Sequence, residues 1–451
     1  MIAQALLAHG NASKPILILT HTNAGVSALR HRLKVAAVSS SAYSLSTLDG
    51  LALQLASTFP LRSGVAKQAL ALDVPRDDYP AIRKGALRLV RSGAISEILQ
   101  ASYSRVVVDE YQDSSTTQHA FISTVANILP VVVLGDPMQA IFGFGGDPLP
   151  SWEDDVLSVF PVQMELSEPW RWINANSLPL GEWLLASREL LSHGEPVDLS
   201  TAPASVEWVN LRGRDDTAAL AAAASTKAPN KGGSVLVLGH STTPRRHHEV
   251  ARSTPGASAV ESVALAELER FARVFDPGDA DSLEALVEFA AKVMTQVPAS
   301  TYAARLDSLR SGRARKDADS FERACLAFCA DPGRDSALRV LDASKARQGA
   351  RLYRPTLFYA ATRAIAGWAR GATEEERVGV AKRIREALKF GSRIAGRRSV
   401  GSTLLLKGLE ADVAVVLDAG NLDARNLYVA MTRGSRKLVI CSKEPLIGAH
   451  A

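Results

Sequence analysis

Residues 106–114 and 131–144 read VVVDEYQDS and VVVLGDPMQAIFGF, and these two stretches decide the fold. Each begins with an aliphatic run rich in valine and then changes abruptly to acidic and polar residues. This pattern is typical of a buried parallel strand whose carboxyl end carries chemistry. The first strand is followed by Asp109 and Glu110, and the second by Asp136 and Gln139. The sequence therefore predicts a parallel sheet with polar groups gathered at one edge.

Two adjacent carboxylates at a strand end favour a site for a metal-bound phosphate. Ionised carboxylates repel each other unless a cation lies nearby, so the pair itself indicates a cation. In such a site Asp109 holds Mg²⁺, Glu110 orients and deprotonates an attacking water, and Gln139 senses the terminal phosphate. The alternative is an acidic strand end in a solvated loop, which the second polar stretch makes less favoured.

A phosphate loop is the element that such a site needs and that this sequence lacks. The chain contains no Gly-Lys dipeptide. The loop normally supplies backbone N–H groups, a lysine and a Mg²⁺-binding hydroxyl to the phosphates, and without them nucleotide affinity and turnover should collapse. We expect the given sequence to begin within or just after this loop, as an N-terminally truncated first domain. The alternative is a genuine pseudo-ATPase.

The composition is that of an ordinary globular protein. The 451 residues are 47% hydrophobic and 22% charged, which predicts two or three domains with sizeable cores. The net charge of +5 weakly favours a polyanionic partner. The three cysteines are interpreted as structural and indicate a reducing compartment. No signal peptide or membrane-spanning run is recognisable, so we expect a cytoplasmic location and no membrane partner.

The order of apolar and helical segments predicts an α/β fold with two RecA-like parallel-sheet domains and helical insertions. The first domain spans residues 1–175, with strands at 15–19, 106–108 and 131–134, a helix at 25–34 and a small helical insertion at about 60–104. The second domain is split into residues 176–255 and 398–451, with strands at 206–209, 235–238, 413–417 and 438–441. Residues 256–397 form a helical insertion, with helix starts near 281 and 373.

Several further motifs occur in a fixed order along the chain. They are THTN (20–23), TLDG (47–50), DEYQD (109–113), GDPMQ (135–139) with IFGF (141–144), LSEPWR (166–171), KGLE (407–410) and YVAMTR (428–433). In identity and order these motifs resemble those of the UvrD/Rep-type superfamily 1 DNA helicases. The resemblance runs over most of the chain, and it is specific because the motifs keep the order of that family.

The resemblance implies an ATP-driven motor that moves on single-stranded DNA from 3′ to 5′ and acts at duplex junctions, with ATP and Mg²⁺ as cofactors. It implies catalytic roles for Asp109, Glu110, Gln139, Arg171 and Arg433, with Asp109 as the metal ligand. It implies nucleotide contacts at Gly408 and Glu410. It implies DNA contacts at Thr22, Asn23, Thr47, Phe144 and Ser402.

The two arginines and the aromatic residues also have simpler interpretations. A guanidinium can bind two phosphate oxygens in a fixed fork, and the ATP of such a motor lies between the two RecA-like domains. Taken singly, Arg171 or Arg433 is more often a surface or salt-bridge residue. Phe144 is favoured as a base-stacking platform, whereas Trp170 and Trp172 are expected in the core. The basic clusters at 245–248 and 393–398 are generic.

Three features differ from the helicase pattern besides the missing loop. Asp49 and Leu404 stand where these helicases usually have histidine. The insertions are short, and in this the chain is similar to UvrD-like partners in phage-defence operons. Repair, recombination and defence all remain open, as does a protein partner in such a complex. A catalytically inactive DNA-binding or regulatory module is the alternative function.

Overall fold

The computed structural model describes residues 14–72, 74–142, 146–213, 216–262, 264–389 and 396–448. The chain divides into two compact units, Met1–Glu168 and Pro169–Ala451. The predicted helix at residues 1–10 and the predicted stacking residue Phe144 lie outside the described residues, as does part of the basic cluster at 393–398.

The first unit is built on a four-stranded parallel sheet. Its strands are β1 (Ile16–Thr20), β2 (Tyr43–Thr47), β3 (Arg105–Val108) and β4 (Val131–Val133), in the order β2-β1-β3-β4. Alternate residues of β1 enter two different buried clusters, one on each face of the sheet. Both faces are therefore covered, and the carboxyl ends of the strands meet at one edge.

Helices connect these strands. They are Asn23–Val35, Leu48–Thr58, Pro60–Ser63, Lys67–Leu70, Pro75–Arg91, Ser96–Ser102, Thr116–Val125 and Leu157–Val159, with a π-helical turn at Trp152–Val156 and 3₁₀ turns at Ser40–Ala42, Tyr111–Asp113 and Pro137–Gln139. The 75–91 helix has a proline in its first turn, followed by Asp77 and Asp78, and ends with Arg88 and Arg91. This order of charges complements the helix dipole, so the helix is well specified locally.

The second unit contains a six-stranded parallel sheet. Its strands are β6 (Val206–Asn210), β7 (Val235–Gly239), β8 (Ala257–Ala259), β9 (Arg398–Ser402), β10 (Ala411–Val416) and β11 (Gly434–Ser442), in the order β6-β11-β10-β7-β9-β8. A short antiparallel pair joins β5 (Val197–Asp198) to β12 (Leu446–Ile447). The inner strands β7 and β10 are almost wholly buried, which explains their continuous aliphatic sequences.

The helices of the second unit include a module inserted between β8 and β9. In chain order they are Trp170–Asn174, Leu178–Ser192, Thr217–Ala224, Pro244–Ser253, Ala266–Val274, Leu283–Val293, Tyr302–Arg310, Ser320–Ala330, Arg334–Lys345, Pro355–Gly367, Glu374–Lys389, Thr403–Leu406 and Ala424–Met431, with 3₁₀ turns at Leu199–Thr201, Ala280–Ser282 and Ala419–Asn421. The inserted helices enclose their own core, in which Phe271 packs 4.2 Å from Phe289 and 5.1 Å from Phe275 between ring centroids.

A buried ionic cluster joins that helical module to the sheet. Arg354, which is 4% exposed, donates to both carboxylate oxygens of Glu261 at 2.6 and 2.8 Å and to Glu267 at 2.7 Å. Glu261 follows β8, whereas Glu267 and Arg354 belong to the inserted segment. The three side chains therefore fix where the module leaves the sheet.

The predicted fold class is confirmed, because the protein is α/β with two parallel sheets and many helices. The aliphatic strands were predicted close to their observed bounds, whereas β2, β8 and β9 were not predicted. The helix start near 373 is confirmed, since Thr373 and Glu376 exchange capping hydrogen bonds. Within the part of the chain that the structure describes, no helix is both long and apolar enough to cross a membrane.

The two tryptophans of the LSEPWR motif differ in environment. Trp172 is buried and its indole N–H donates to the carbonyl of Gly434 at 3.0 Å, so its predicted core position is confirmed. Trp170 is 62% exposed, so the prediction of a core position was wrong for this residue. A short helix that begins at Trp170 turns the two neighbouring side chains to different sides.

Candidate nucleotide and nucleic-acid site

The acid pair lies at the carboxyl edge of the first sheet. The backbone N–H of Asp109 donates to Leu19 at 2.8 Å and thereby extends the pairing of β1 with β3 by one residue. Glu110 then adopts a left-handed backbone conformation with φ of 58°. A positive φ is uncommon for a residue with a side chain, and such strain concentrates at functional sites. The turn ends the strand directly after the two carboxylates.

The electrostatics of the pair suit a cation. Burial, reinforced by the charge of Glu110, raises the pKa of Asp109 to about 6. Glu110 accepts a hydrogen bond from the side-chain amide of Gln112 at 2.6 Å. Among the described residues, no group of three or more His, Cys, Asp or Glu side chains could hold a metal ion. One or two carboxylates are nevertheless the protein ligands that Mg²⁺ takes when phosphates supply the rest, so the residues fit.

Gln112 connects the acid pair to the end of β4. Its side-chain oxygen accepts the backbone N–H of Asp136 at 3.1 Å, while its amide donates to Glu110. Asp136 in turn accepts the side-chain amide of Gln139 at 3.1 Å. A continuous chain of hydrogen bonds thus joins Glu110 to Gln139. The sequence analysis gave Gln112 no role, although the residue lies inside the DEYQD motif.

Gly135 permits this close approach. A Cβ atom at that position would lie 2.7 Å from the ring of Trp152 and 2.9 Å from the side-chain oxygen of Gln112. Real Cβ atoms do not come this close to other heavy atoms, so a larger residue would push Gln112 away. The glycine of the GDPMQ motif therefore has a packing reason.

Two of the predicted DNA-contact threonines begin helices. The hydroxyl of Thr22 accepts the backbone N–H of Gly25 at 3.0 Å, and that of Thr47 accepts Gly50 at 2.9 Å. Asn23 is the first residue of its helix and is exposed. These N-caps place Thr22, Asn23 and Thr47 at helix starts just beyond β1 and β2, where backbone N–H groups favour anions.

In the second unit, two predicted site residues contact each other. Arg171 donates to Glu410 at 2.7 Å and to the carbonyl of Thr432 at 2.6 Å. The guanidinium also lies 5.3 Å from the centre of the Trp172 ring. The motifs LSEPWR, KGLE and YVAMTR, which are far apart in sequence, therefore meet at Arg171.

Arg433 is held within its own helix end. Its side chain is part of a residue that is only 4% exposed, and it donates to the carbonyl of Val429 at 2.9 Å and to the hydroxyl of Thr432 at 2.9 Å. These hydrogen bonds orient the guanidinium at the end of the 424–431 helix. An arginine in this conformation has to exchange some of these contacts before it can bind a phosphate.

The remaining predicted residues of the second unit shape the turn between β9 and β10. Ser402 is buried and its hydroxyl accepts the backbone N–H of Leu405 at 3.2 Å. Gly408 has a φ of 82°, a conformation that favours glycine. Ser402 and Gly408 thus flank a short helix, Thr403–Leu406, which leads to Glu410.

The comparisons with known proteins agree with this arrangement. Residues 75–149 match the family model described as the UvrD/REP helicase N-terminal domain, and this stretch contains the acid pair, Asp136 and Gln139. The chain is a relative of the UvrD/Rep-type superfamily 1 helicases. The UvrD/Rep-type match includes the whole 75–91 helix as well as β3 and β4.

Similar curated proteins of the UvrD/Rep type are all named as subunits of an ATP-dependent helicase/nuclease. The protein from Leuconostoc mesenteroides subsp. mesenteroides is 30% identical over 67 residues, which are 15% of this chain and 5% of that protein. Those from Lacticaseibacillus casei and Lacticaseibacillus paracasei are each 39% identical over 75 residues, which are 15% of this chain and 6% of theirs. The chain thus matches only a small part of the length of these relatives.

Proposed function

We propose that this protein is an ATP-dependent translocase of the UvrD type that acts on single-stranded DNA. The observation that carries the proposal is the acid pair at the end of β3, hydrogen-bonded through Gln112 to the end of β4. In the proposed reaction, Asp109 binds Mg²⁺ on the phosphates and Glu110 orients the attacking water. Phosphoryl transfer depends mainly on positioning and charge, and these side chains supply both.

The arginines and the helix starts have matching proposed roles. Arg171 and Arg433 bind phosphate oxygens, Gly408 and Glu410 contact the nucleotide, and Gln139 senses the terminal phosphate. Thr22, Asn23, Thr47, Phe144 and Ser402 contact DNA. Support comes from the anion-favouring helix starts at Thr22 and Thr47 and from the convergence of three motifs on Arg171.

A second function is favoured by one specific observation. The 451 residues contain no Gly-Lys dipeptide, so they do not include the phosphate loop that hydrolysis requires. Unless that loop is supplied, the chain is expected to bind DNA without turning over ATP. It would then be a catalytically inactive DNA-binding or regulatory module.

An ATPase assay distinguishes the two functions. Phosphate release from MgATP is measured, with and without single-stranded DNA, for the 451-residue chain and for a loop-bearing form. The loop-bearing form is the same chain with an N-terminal extension that ends in a Gly-rich Gly-Lys-Thr loop. The translocase predicts DNA-stimulated hydrolysis by the loop-bearing form. DNA binding without hydrolysis by either form supports the inactive module, and absence of DNA binding contradicts both.

A further inference from the structure

A cluster of charged and polar side chains connects the 75–91 helix to the carboxyl edge of the first sheet. Arg83 donates to the two carboxylate oxygens of Asp49 at 2.6 and 2.7 Å. The remaining guanidinium nitrogen of Arg83 lies 3.9 Å from Asp147. Gln118 also donates to Asp49, at 3.0 Å. Four separate segments of the first unit therefore meet at one guanidinium and two carboxylates.

Asp49 lies beside a proposed DNA contact. It stands in the first turn of the 48–58 helix, two residues after Thr47, whose hydroxyl caps that helix. The position suits the helix dipole, because an acidic residue near a helix N-terminus is favourable. It does not suit a phosphate backbone, which repels a carboxylate that has no cation partner. Arg83 is the cation that offsets this charge.

Asp147 faces the same arginine and follows Phe144 by three residues in the sequence. Its carboxylate accepts hydrogen bonds from Ser115 at 2.6 Å, Thr116 at 2.7 Å and the backbone of Thr117 at 3.2 Å. Although burial opposes ionisation, these hydrogen bonds lower the pKa of the Asp147 carboxyl below its usual value. Asp147 is therefore ionised at neutral pH, and Arg83 faces two negative charges.

We propose that Arg83 is a positioning residue for single-stranded DNA, which it serves by neutralising Asp49 and Asp147 rather than by contacting the strand. The proposal rests on the function proposed above. The side chains of Arg83, Asp49 and Asp147 are 23%, 25% and 21% exposed, so their charges still reach a ligand at the surface. Partly exposed ion pairs add little to stability, so the larger effect of removing Arg83 is expected on binding.

The test measures the affinity of the 451-residue chain for a fluorescent oligothymidylate of about 20 nucleotides by anisotropy, without nucleotide, at a low salt concentration of about 50 mM. Arg83→Gln should raise the Kd about fivefold, and the effect should shrink at about 300 mM salt, since salt screens the exposed carboxylates. Adding Asp49→Asn to Arg83→Gln should bring the Kd back to within about twofold of wild type. Asp49→Asn alone should bind as tightly as wild type or more tightly.

Arg91→Gln is the matched control. Arg91 is exposed near the end of the same helix, so this variant also removes one positive charge but uncovers no partner carboxylate of this cluster. Its Kd should stay within about twofold of wild type. Thermal unfolding of each variant reports whether the first unit is folded.

Each outcome has a distinct meaning. An unchanged Kd for Arg83→Gln overturns the inference. A loss that Asp49→Asn does not reverse also overturns it, because a purely structural role or a direct DNA contact gives no rescue. Wild-type chain that fails to bind the oligonucleotide overturns both the inference and the proposed DNA function. Normal wild-type binding with an indifferent Arg83 overturns the inference alone.

Discussion

At the scale of single residues, the backbone of Glu110 places the proposed base. Its positive φ ends β3 immediately after Asp109, and Gln112 holds its carboxylate at 2.6 Å. A general base must lie in a fixed position relative to water, and this hydrogen bond restricts the side chain. The same contact explains why a neutral amide at position 110 should preserve the local fold while removing the base.

We predict that Glu110→Gln in the loop-bearing form lowers DNA-stimulated ATPase activity by about 100-fold or more, the usual contribution of a general base. Binding of a fluorescent ATP analogue should persist, because Asp109 remains. Glu97→Gln, an exposed acid on the 96–102 helix, is the control and should leave turnover unchanged. Equal turnover in Glu110→Gln and wild type would remove Glu110 from its role.

His247 is a second residue with a clear electrostatic consequence. It is 4% exposed, and in the described part of the protein its Nε2 atom has no hydrogen-bond partner. Burial, with the nearby charges of His248 and Arg246, lowers the pKa of His247 to about 4. Below the ordinary pKa the unfolded chain binds a proton that the folded protein excludes. This group therefore reduces stability as the pH falls from about 6.5 to about 4.

We predict that His247→Leu flattens this part of the pH profile. Each pH unit in that interval costs the wild type up to about 1.4 kcal/mol through this one group, and the variant should avoid the cost. Urea unfolding at a series of pH values measures the difference. His193→Gln, at an exposed histidine, serves as control and should keep the wild-type profile. Parallel profiles for wild type and His247→Leu would contradict the assignment.

At the scale of elements, the turn after β4 is the most tightly packed part of the candidate site. Gly135 lies against Trp152 of the π-helical turn and against Gln112. The packing connects the two motif-bearing strand ends through side chains rather than through backbone pairing alone. Its geometry therefore controls both stability and the hydrogen bond from Asp136 to Gln112.

We predict that Gly135→Ala destabilises the first unit by about 1–3 kcal/mol, the usual cost of overpacking. It should also reduce the ATPase activity of the loop-bearing form, since Gln112 must move. Gly146→Ala is a matched control in the same segment, because a Cβ there meets no described atom within 4 Å. Urea unfolding and steady-state turnover test the pair. Indistinguishable behaviour of the two variants would show that the close contact has no consequence.

The Arg354 cluster gives a prediction for the second unit. Arg354→Met leaves Glu261, whose side chain is 7% exposed, without its bidentate partner. Loss of one partner of a buried pair typically costs about 3–5 kcal/mol. Arg245→Met is the control, because the Arg245 side chain is 94% exposed and should change stability by less than about 0.5 kcal/mol. Urea unfolding measures both, and equal stabilities would contradict a structural role for the cluster.

The sequence predicted those elements that carry their signal locally. The valine-rich strands β3, β4 and β10 are buried and hydrophobic, so their position is evident from composition. The strands β2 and β9 read YSLST and RSVGS, and their serine and glycine residues hide them. Each forms only when a neighbouring strand supplies its backbone partners.

The same distinction applies to the site. Neighbouring carboxylates at a strand end were predictable, because position in the chain is enough to place them together. The partners Asp49 and Arg83 are 34 residues apart, and Arg171 and Glu410 are 239 apart. No local pattern indicates such pairs, so they required the structure. The role of Asp49 was visible only as a departure from the helicase pattern.

At the scale of the whole molecule, the two units each carry a parallel sheet with motif residues at or near its carboxyl edge. The first unit holds the acid pair, and the second holds the Arg171–Glu410 pair. The net charge of +5 is compatible with a nucleic-acid partner but does not select one. Function therefore depends on whether nucleotide hydrolysis and DNA binding are coupled.

The most direct measurement of that coupling is phosphate release from MgATP by the loop-bearing form, recorded with and without single-stranded DNA. The account predicts that DNA accelerates release by wild type and that Glu110→Gln binds nucleotide without turnover. Hydrolysis that ignores DNA, or that continues unchanged in Glu110→Gln, would contradict a DNA-dependent nucleotide site at the end of β3.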